Sequence, residues 1–447
     1  MKKLIIILAF ILAFITILSV FTTASEDVFA YSLKSDGTYE VTKYKGSNQE
    51  QVNIPAVHLD RAVTSIGDNC FTEIVNQEVY YHPEVKRITI PYTITSIGDN
   101  AFTGTSWIND PENADDNGCI VINGMLIKYI GNSSVLTLPS TFKTINYRAF
   151  ENNNTLSGIV IPTTVTSIKD NAFNGCTYLN TITIAESVTE IGKWAFRDTA
   201  FSSITLPSGV TTISQSMFSG CKKLRTVTLH GQISVIEKYA FLDCLMLENL
   251  IFSHTDAANI IPYSVTEIGY GAFYGCKSLK QLTLGENIKT VGDIAFADCT
   301  ALNNIYVPET VGTNSIGSYS FGFSLIPSGN SFTPERINSL TIHVMGATKA
   351  RYNTPIIKYC HSFSQDNFYN AIDYVVTRNV LLGDANGDGK ISTTDARRIL
   401  RCALGLDIFD AETYDFDMNL DGEVKVADAR LALRMAMNLV YYPEKLS

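Results

Sequence analysis

With 447 residues the chain is long enough to bury a large core and to hold more than one domain. Its composition is globular, 45% hydrophobic and 17% charged, and its net charge of -10 argues against nucleic acid and anionic membranes as partners. Its nine cysteines invite a disulfide reading, which the spacing of those cysteines contradicts below.

The N-terminus has the layout of an export signal. Lys2 and Lys3 precede an apolar run over 4–21, and small residues follow. Val28-Phe29-Ala30 is the first expected cleavage site and Ala24 the second, so residues 1–30 are taken as the signal peptide. The run is also about long enough to span a bilayer as an uncleaved anchor, and no later segment is. After signal cleavage no membrane association is expected. The mature protein is read as secreted and extracellular.

Between about residues 63 and 321 one phrase recurs. Clear copies are VTSIKDNAFNGCTYLNTITI, VTEIGYGAFYGCKSLKQLTL and VTEIGKWAFRDTAFSSITLP. The anchor phenylalanines are Phe71, Phe102, Phe150, Phe173, Phe196, Phe218, Phe241, Phe273, Phe296 and Phe321, mostly 22 or 23 residues apart. A period near 23 predicts a solenoid, in which coils too small to fold alone stack to share a core. Ile182-Thr183-Ile184 alternates as a half-buried strand does. Val188 and Ile191 belong to a second extended piece, and Ala195-Phe196 turns inward. Longer spacings mark insertions, such as SWINDPENADDNGC after Phe102.

Cys176, Cys221, Cys244, Cys276 and Cys299 each stand three residues after an anchor Phe, and Thr199 takes the slot in one coil. A slot that accepts Cys or Thr predicts a small buried spacer and a reduced thiol. No CxxC pairs suggest a metal site. Cys119 and Cys360 have no assigned role. Thr89, Thr137, Thr183, Thr205, Thr228 and Thr283 hold the centre of the strands, interrupted by Val160, Ile251 and Tyr306. That is a solvated strand face, or a hydroxyl platform for a glycan or a protein.

The repeat phrase resembles the BspA-like leucine-rich repeats of bacterial surface and secreted proteins. The resemblance covers about 260 residues and implies a curved solenoid with a sheet along one face. Residues 31–376 are assigned to it. The end of this region, from about residue 324, is read as a cap with strands near 339–344 and 373–376.

Two acidic loops follow, DANGDGKISTTD (384–395) and DMNLDGEVKVAD (417–428). Oxygen side chains at alternate positions, a glycine at the turn and a final carboxylate are what a calcium loop needs. The first loop offers Asp384, Asn386, Asp388, the Lys390 carbonyl, Ser392 and Asp395; the second offers Asp417, Asn419, Asp421, the Glu423 carbonyl and Asp428. Lys425 stands where Ser392 does and cannot ligate through its side chain. Each loop feeds an amphipathic stripe, Ala396, Ile399, Leu400, Ala403 and Leu404, then Ala429, Ala432, Leu433, Ala436 and Met437. Residues 381–447 carry 12 acids and eight bases, so two Ca²⁺ ions offset the net charge and add binding energy to a marginal core.

The Asp at the end of both loops, with GDANGDGKISTTDARRILRCALGL, resembles the type I dockerin module; 381–442 are assigned to it. The resemblance implies calcium-dependent binding to the cohesin module of a scaffoldin and membership of a cellulosome, the polysaccharide-degrading complex. It also implies partner contacts at Thr393, Thr394, Arg397 and Arg401, with Leu400 beside them. The second copy offers Val426, Ala427, Arg430 and Arg434, with Leu433. Copy two lacks the hydroxyl pair. The fold class expected is α+β, a leucine-rich-repeat solenoid with a small all-α calcium-binding module. No GxSxG, HExxH or Walker motif appears, and the function expected is non-catalytic. The alternative is a carbohydrate-active enzyme with a catalytic site inside the repeats.

Overall fold

The computed structural model describes residues 28–75, 78–230, 233–252, 258–285, 287–308, 316–317, 320–321, 323–328, 331–336, 340–345 and 373–376. It also describes positions 393, 396, 397, 399, 400, 404, 426, 429, 430, 432 and 433. Two compact units divide the chain, Met1–Asn132 and Ser133–Ser447.

The first unit opens with an antiparallel pair, Phe29–Leu33 against Tyr39–Tyr44. Tyr39–Tyr44 then runs parallel to Arg61–Ile66, which runs parallel to Ser96–Ile97. Gln51–Asn53 pairs in parallel with Arg87–Thr89. The hairpin Cys119–Ile122 and Met125–Tyr129 turns on Asn123-Gly124, both at positive φ, as a tight two-residue turn requires. A row of rings runs through the core: Tyr44 to Phe71 at 5.0 Å, Phe71 to Phe102 at 5.8 Å and Phe102 to Trp107 at 4.8 Å.

Phe29 lies inside the first strand, is 5% exposed, and packs on Tyr44 at 5.6 Å. Cleavage after Ala30 would strip a core ring and part of a paired strand.

In the second unit the repeats stack as parallel strands one coil apart. One set of sheets contains Val135–Thr137, Gly158–Val160 and Thr181–Thr183, then Ser203–Leu206, Thr226–Leu229 and Asn249–Phe252. The other set contains two-residue strands, among them Glu190–Ile191 and Thr212–Ile213, that bury one isoleucine or valine each. The anchor phenylalanines form a buried column from Phe150 to Phe321, with ring centroids 4.8–5.8 Å apart. That spacing is close to the distance between neighbouring strands, so each coil's ring falls on the next and the planes stay nearly parallel.

The turn around each anchor is tight rather than helical. From Phe102 to Phe296 the positions two before and two after the Phe take positive φ, as at Trp194 and Asp198 around Phe196. The later position alternates between Asx and glycine: Asn152, Gly175, Asp198, Gly220, Asp243, Gly275. The reason is steric. The Oδ1 atoms of Asn152, Asp198 and Asp243 occupy the places where Cβ atoms on Gly175, Gly220 and Gly275 would stand. Helix is scarce: among the described residues the repeat region holds only two short 3₁₀ turns, Trp107–Asn109 and Pro111–Asn113. The repeat region is thus a β-solenoid, narrower than the α+β class expected of the chain. Toward its end Thr341–Met345 pairs with Asn304–Pro308 and Asp373–Val376 with Thr341–Met345, at the two cap strands expected. The hairpin Phe323–Ser328 and Ser331–Arg336 was not expected.

Candidate functional site

The register lines up the outward residues of the second unit's strands. Thr137, Val160 and Thr183 are neighbours, as are Thr205, Thr228 and Ile251. Thr137, Thr183 and Thr205 are exposed, Thr228 is half-buried, and Thr89 is exposed on its own strand in the first unit. Thr283 corrects the expectation that it stands on the solvated strand face. It is 4% exposed because the longer coil before Phe273 lays Asn259 and Ile260 beside it: Thr283 N–H donates to the Asn259 carbonyl, and Ile261 N–H donates to the Thr283 carbonyl. Charges on the repeats are largely matched between coils, as in Lys169–Glu190 at 2.8 Å and Arg225–Glu248 at 2.6 Å. Such exposed pairs add little stability and leave little net field to select a charged ligand.

The cysteine slot has a specific structural use. Cys176, Cys221, Cys244, Cys276 and Cys299 are unpaired and fully buried. Each thiol donates to the carbonyl of the anchor Phe one coil earlier, at 3.0–3.3 Å. Thr199 fills the slot by donating to the Phe196 carbonyl of its own coil at 2.9 Å. Burial pushes the thiols of Cys176, Cys221 and Cys299 up to about 12, and those of Cys244 and Cys276 well above the ordinary range. Cys70 and Cys119 are also free and buried, which gives Cys119 a core role. Cys360 lies outside the described residues.

The candidate calcium ligands Asp384, Asn386, Asp388, Lys390, Ser392, Asp395, Asp417, Asn419, Asp421, Glu423 and Asp428 lie outside the described residues, as do Thr394, Arg401, Ala427 and Arg434. What is described repeats at an interval of 33. Thr393, Ala396, Arg397, Ile399 and Leu400 are helical, as are Val426, Ala429, Arg430, Ala432 and Leu433. Ala396, Ile399, Ala429 and Ala432 are buried, while Thr393, Arg397, Val426 and Arg430 face out. Among the described residues, part of each expected stripe is exposed. Leu404 is 56% exposed and Leu433 40%, and Leu400 is half-buried, so among the described residues the buried positions are i and i+3. Leu433 and Val426 therefore share an exposed apolar character that Thr393 lacks. The periodic pattern of the sequence concealed this, because a leucine at i+4 fits a wide stripe and an exposed contact equally well.

The ladder of Phe-anchored coils defines a leucine-rich-repeat solenoid. The BspA-type leucine-rich repeat family matches residues 72–157, 143–260 and 251–373, in six copies, and the chain belongs to that family. The dockerin type I domain matches residues 382–434. Among solved structures, a leucine-rich repeat protein of Bacteroides ovatus is similar at 20% identity, covering 80% of this chain and all of its own, with a TM-score of 0.40. A leucine-rich cell surface protein of Faecalibacterium prausnitzii is 23% identical over 76% of this chain and 98% of its own, TM-score 0.30. The leucine-rich repeat protein of T. pallidum is 24% identical over 57% of this chain and 90% of its own, TM-score 0.28. No curated protein matches the chain.

Proposed function

We propose that the protein is a secreted, non-catalytic component of a cellulosome. Its dockerin docks onto a scaffoldin cohesin when two calcium ions fill the loops 384–395 and 417–428, and its repeats present a binding or adhesion surface. The observation that carries this reading is the dockerin match over 382–434. Both matched families are non-catalytic modules, and neither indicates a catalytic domain. Calcium neutralises carboxylates that would otherwise repel and so couples loop order to the helices behind them. Cohesin contact falls to Thr393, Thr394, Arg397 and Arg401 in one half and to Val426, Ala427, Arg430 and Arg434 in the other; of these, Thr393, Arg397, Val426 and Arg430 are described and exposed. The exposure of Leu433 adds it to the second half, giving that half an apolar contact face and the first half a hydroxyl one.

Export fits a chain that keeps its signal only through Ala24, because this leaves the strand Phe29–Leu33 whole. N-terminal sequencing of the secreted protein is expected to begin at Ser25; a start at Tyr31 contradicts this.

The test is capture of the full-length protein on immobilised type I cohesins. Retention in calcium and release by chelator are expected. Equal retention in chelator, or no retention by any cohesin of the panel, contradicts the proposal.

A further inference from the structure

Between Phe71 and Phe102 the chain leaves the array to form a hairpin, Thr72–Val75 against Glu78–Tyr81. The two strands make a sheet of their own, and among the described residues no other strand pairs with Glu78–Tyr81. In an antiparallel ladder alternate residues turn their N–H and C=O groups away from the partner strand. Glu78–Tyr81 therefore presents backbone donors and acceptors along its free edge. All four of its residues are exposed, Val79 at 47%, Tyr80 at 48% and Tyr81 at 53%.

Folded proteins usually blunt such an edge with lysine, proline or a bulge, because it templates a further strand. This strand carries one charge, Glu78, and no proline, and its pairing with Thr72–Val75 runs without a register shift. The edge is left able to pair.

Its side chains select the partner. Glu78 and Tyr80 share one face, where Tyr80 O–H donates to Glu78 Oε2 at 3.0 Å. Tyr81 lies on the other face, its ring against Gly104 in the place that a Cβ there would take. A second copy approaching the edge about a two-fold axis normal to the sheet pairs antiparallel, with like faces together. Centred on Val79, this sets Glu78 opposite Tyr80 of the second copy. The phenol–carboxylate bond made within each chain then forms across the axis, once on either side of a Val79–Val79 pair. Centring on Tyr80 would instead set Glu78 against His82, whose ring already meets Glu84 Oε1 at 3.0 Å and Tyr44 edge-on at 4.8 Å. The edge thus complements itself in one register.

We infer that Glu78–Tyr81 joins the same strand of a second copy of this chain, giving a four-stranded sheet across a two-fold axis. This interface goes beyond the docking and repeat-surface roles and needs neither. Two short hairpins cover less than the ~1,200 Å² of a stable complex, so the dimer is weak and forms as concentration rises.

The test is sedimentation equilibrium of the full-length, calcium-loaded protein over a range of concentrations. A reversible monomer–dimer equilibrium is expected. Val79→Lys and Val79→Glu each set like charges against one another at the axis, and each alone should weaken the dimer by about fivefold or more. Mixed in equal amounts they should recover it as a heterodimer. Tyr80→Phe, which removes both phenol–carboxylate bonds, should weaken it by about three- to tenfold. Tyr178→Ala, at an exposed tyrosine of the second unit, should leave it unchanged. Thermal melting of the dilute protein and calcium-dependent cohesin capture should be the same for every variant, which separates this interface from the docking function. A wild type that stays monomeric at every concentration would overturn the inference. So would a Val79→Lys protein that dimerises as the wild type does, or mixed variants that associate no better than either alone. Hydrogen-exchange protection of 78–81 that arose only on adding a different protein would assign the edge to a foreign strand and overturn it too.

Discussion

The two units use one repeat phrase in different ways. In the second, coils follow at 22 or 23 residues for long stretches, and everything inward is repeated: the Phe column, the thiol-to-carbonyl bonds and the alternation of Asx with glycine. In the first, Tyr44 and Trp107 extend the ring row beyond Phe71 and Phe102, and the chain leaves the array twice, in the hairpin Thr72–Val75 and Glu78–Tyr81 and in the two 3₁₀ turns. Regular stacking makes a rigid support, and departures from it create individual surfaces. Stability is therefore concentrated in the repeated column.

The largest effect that sharpens this contrast is alkaline. The folded thiols have raised pKa values, so their contribution is full below the unfolded value near pH 8.5 and is lost as pH rises toward about 12. Each buried thiol is expected to remove about 1.4 kcal/mol per pH unit across that window. Denaturant melts from pH 8 to 11 check it, and a Cys221→Thr variant should show a shallower decline. Thiol reagents should leave the native protein unmodified at pH 8, whereas disulfide-linked peptides joining these cysteines would contradict the account. Next in size, Phe218→Ala in the middle of the column should cost about 3–5 kcal/mol by chemical denaturation. Tyr81→Ala, at an exception, should cost less than about 0.5 kcal/mol. A smaller effect is expected at the alternating turn. Gly220→Ala forces a side chain into positive φ and onto Asp198, at about 1–2 kcal/mol. Pairing it with Asp198→Gly should recover part of that loss, as two residues sharing one space require.

Periodicity made the repeated interior legible. The anchors, the second extended pieces and the thiol slot all follow from the interval, because every coil meets the same neighbours. It could not show what the exceptions do. Thr283 fits the strand pattern and is buried only because a longer coil folds over it. Leu404 and Leu433 fit a helical stripe, yet both are exposed. The hairpin insertion has no period, and its exposed Val79-Tyr80-Tyr81 run is commonplace by itself. Phe29 reads as part of a cleavage motif, and its packing on Tyr44 has no signal in the sequence.

The docking proposal is tested most directly by counting calcium ions while titrating cohesin. By calorimetry the wild type is expected to bind two Ca²⁺, and Asp384→Ala and Asp417→Ala one each. Each variant should also lose helical signal and cohesin affinity, because the metal, the loop and the helix behind it form together. An Asp384→Ala protein that still bound two ions and held cohesin as the wild type does would contradict the reading of DANGDGKISTTD as a calcium-built docking loop.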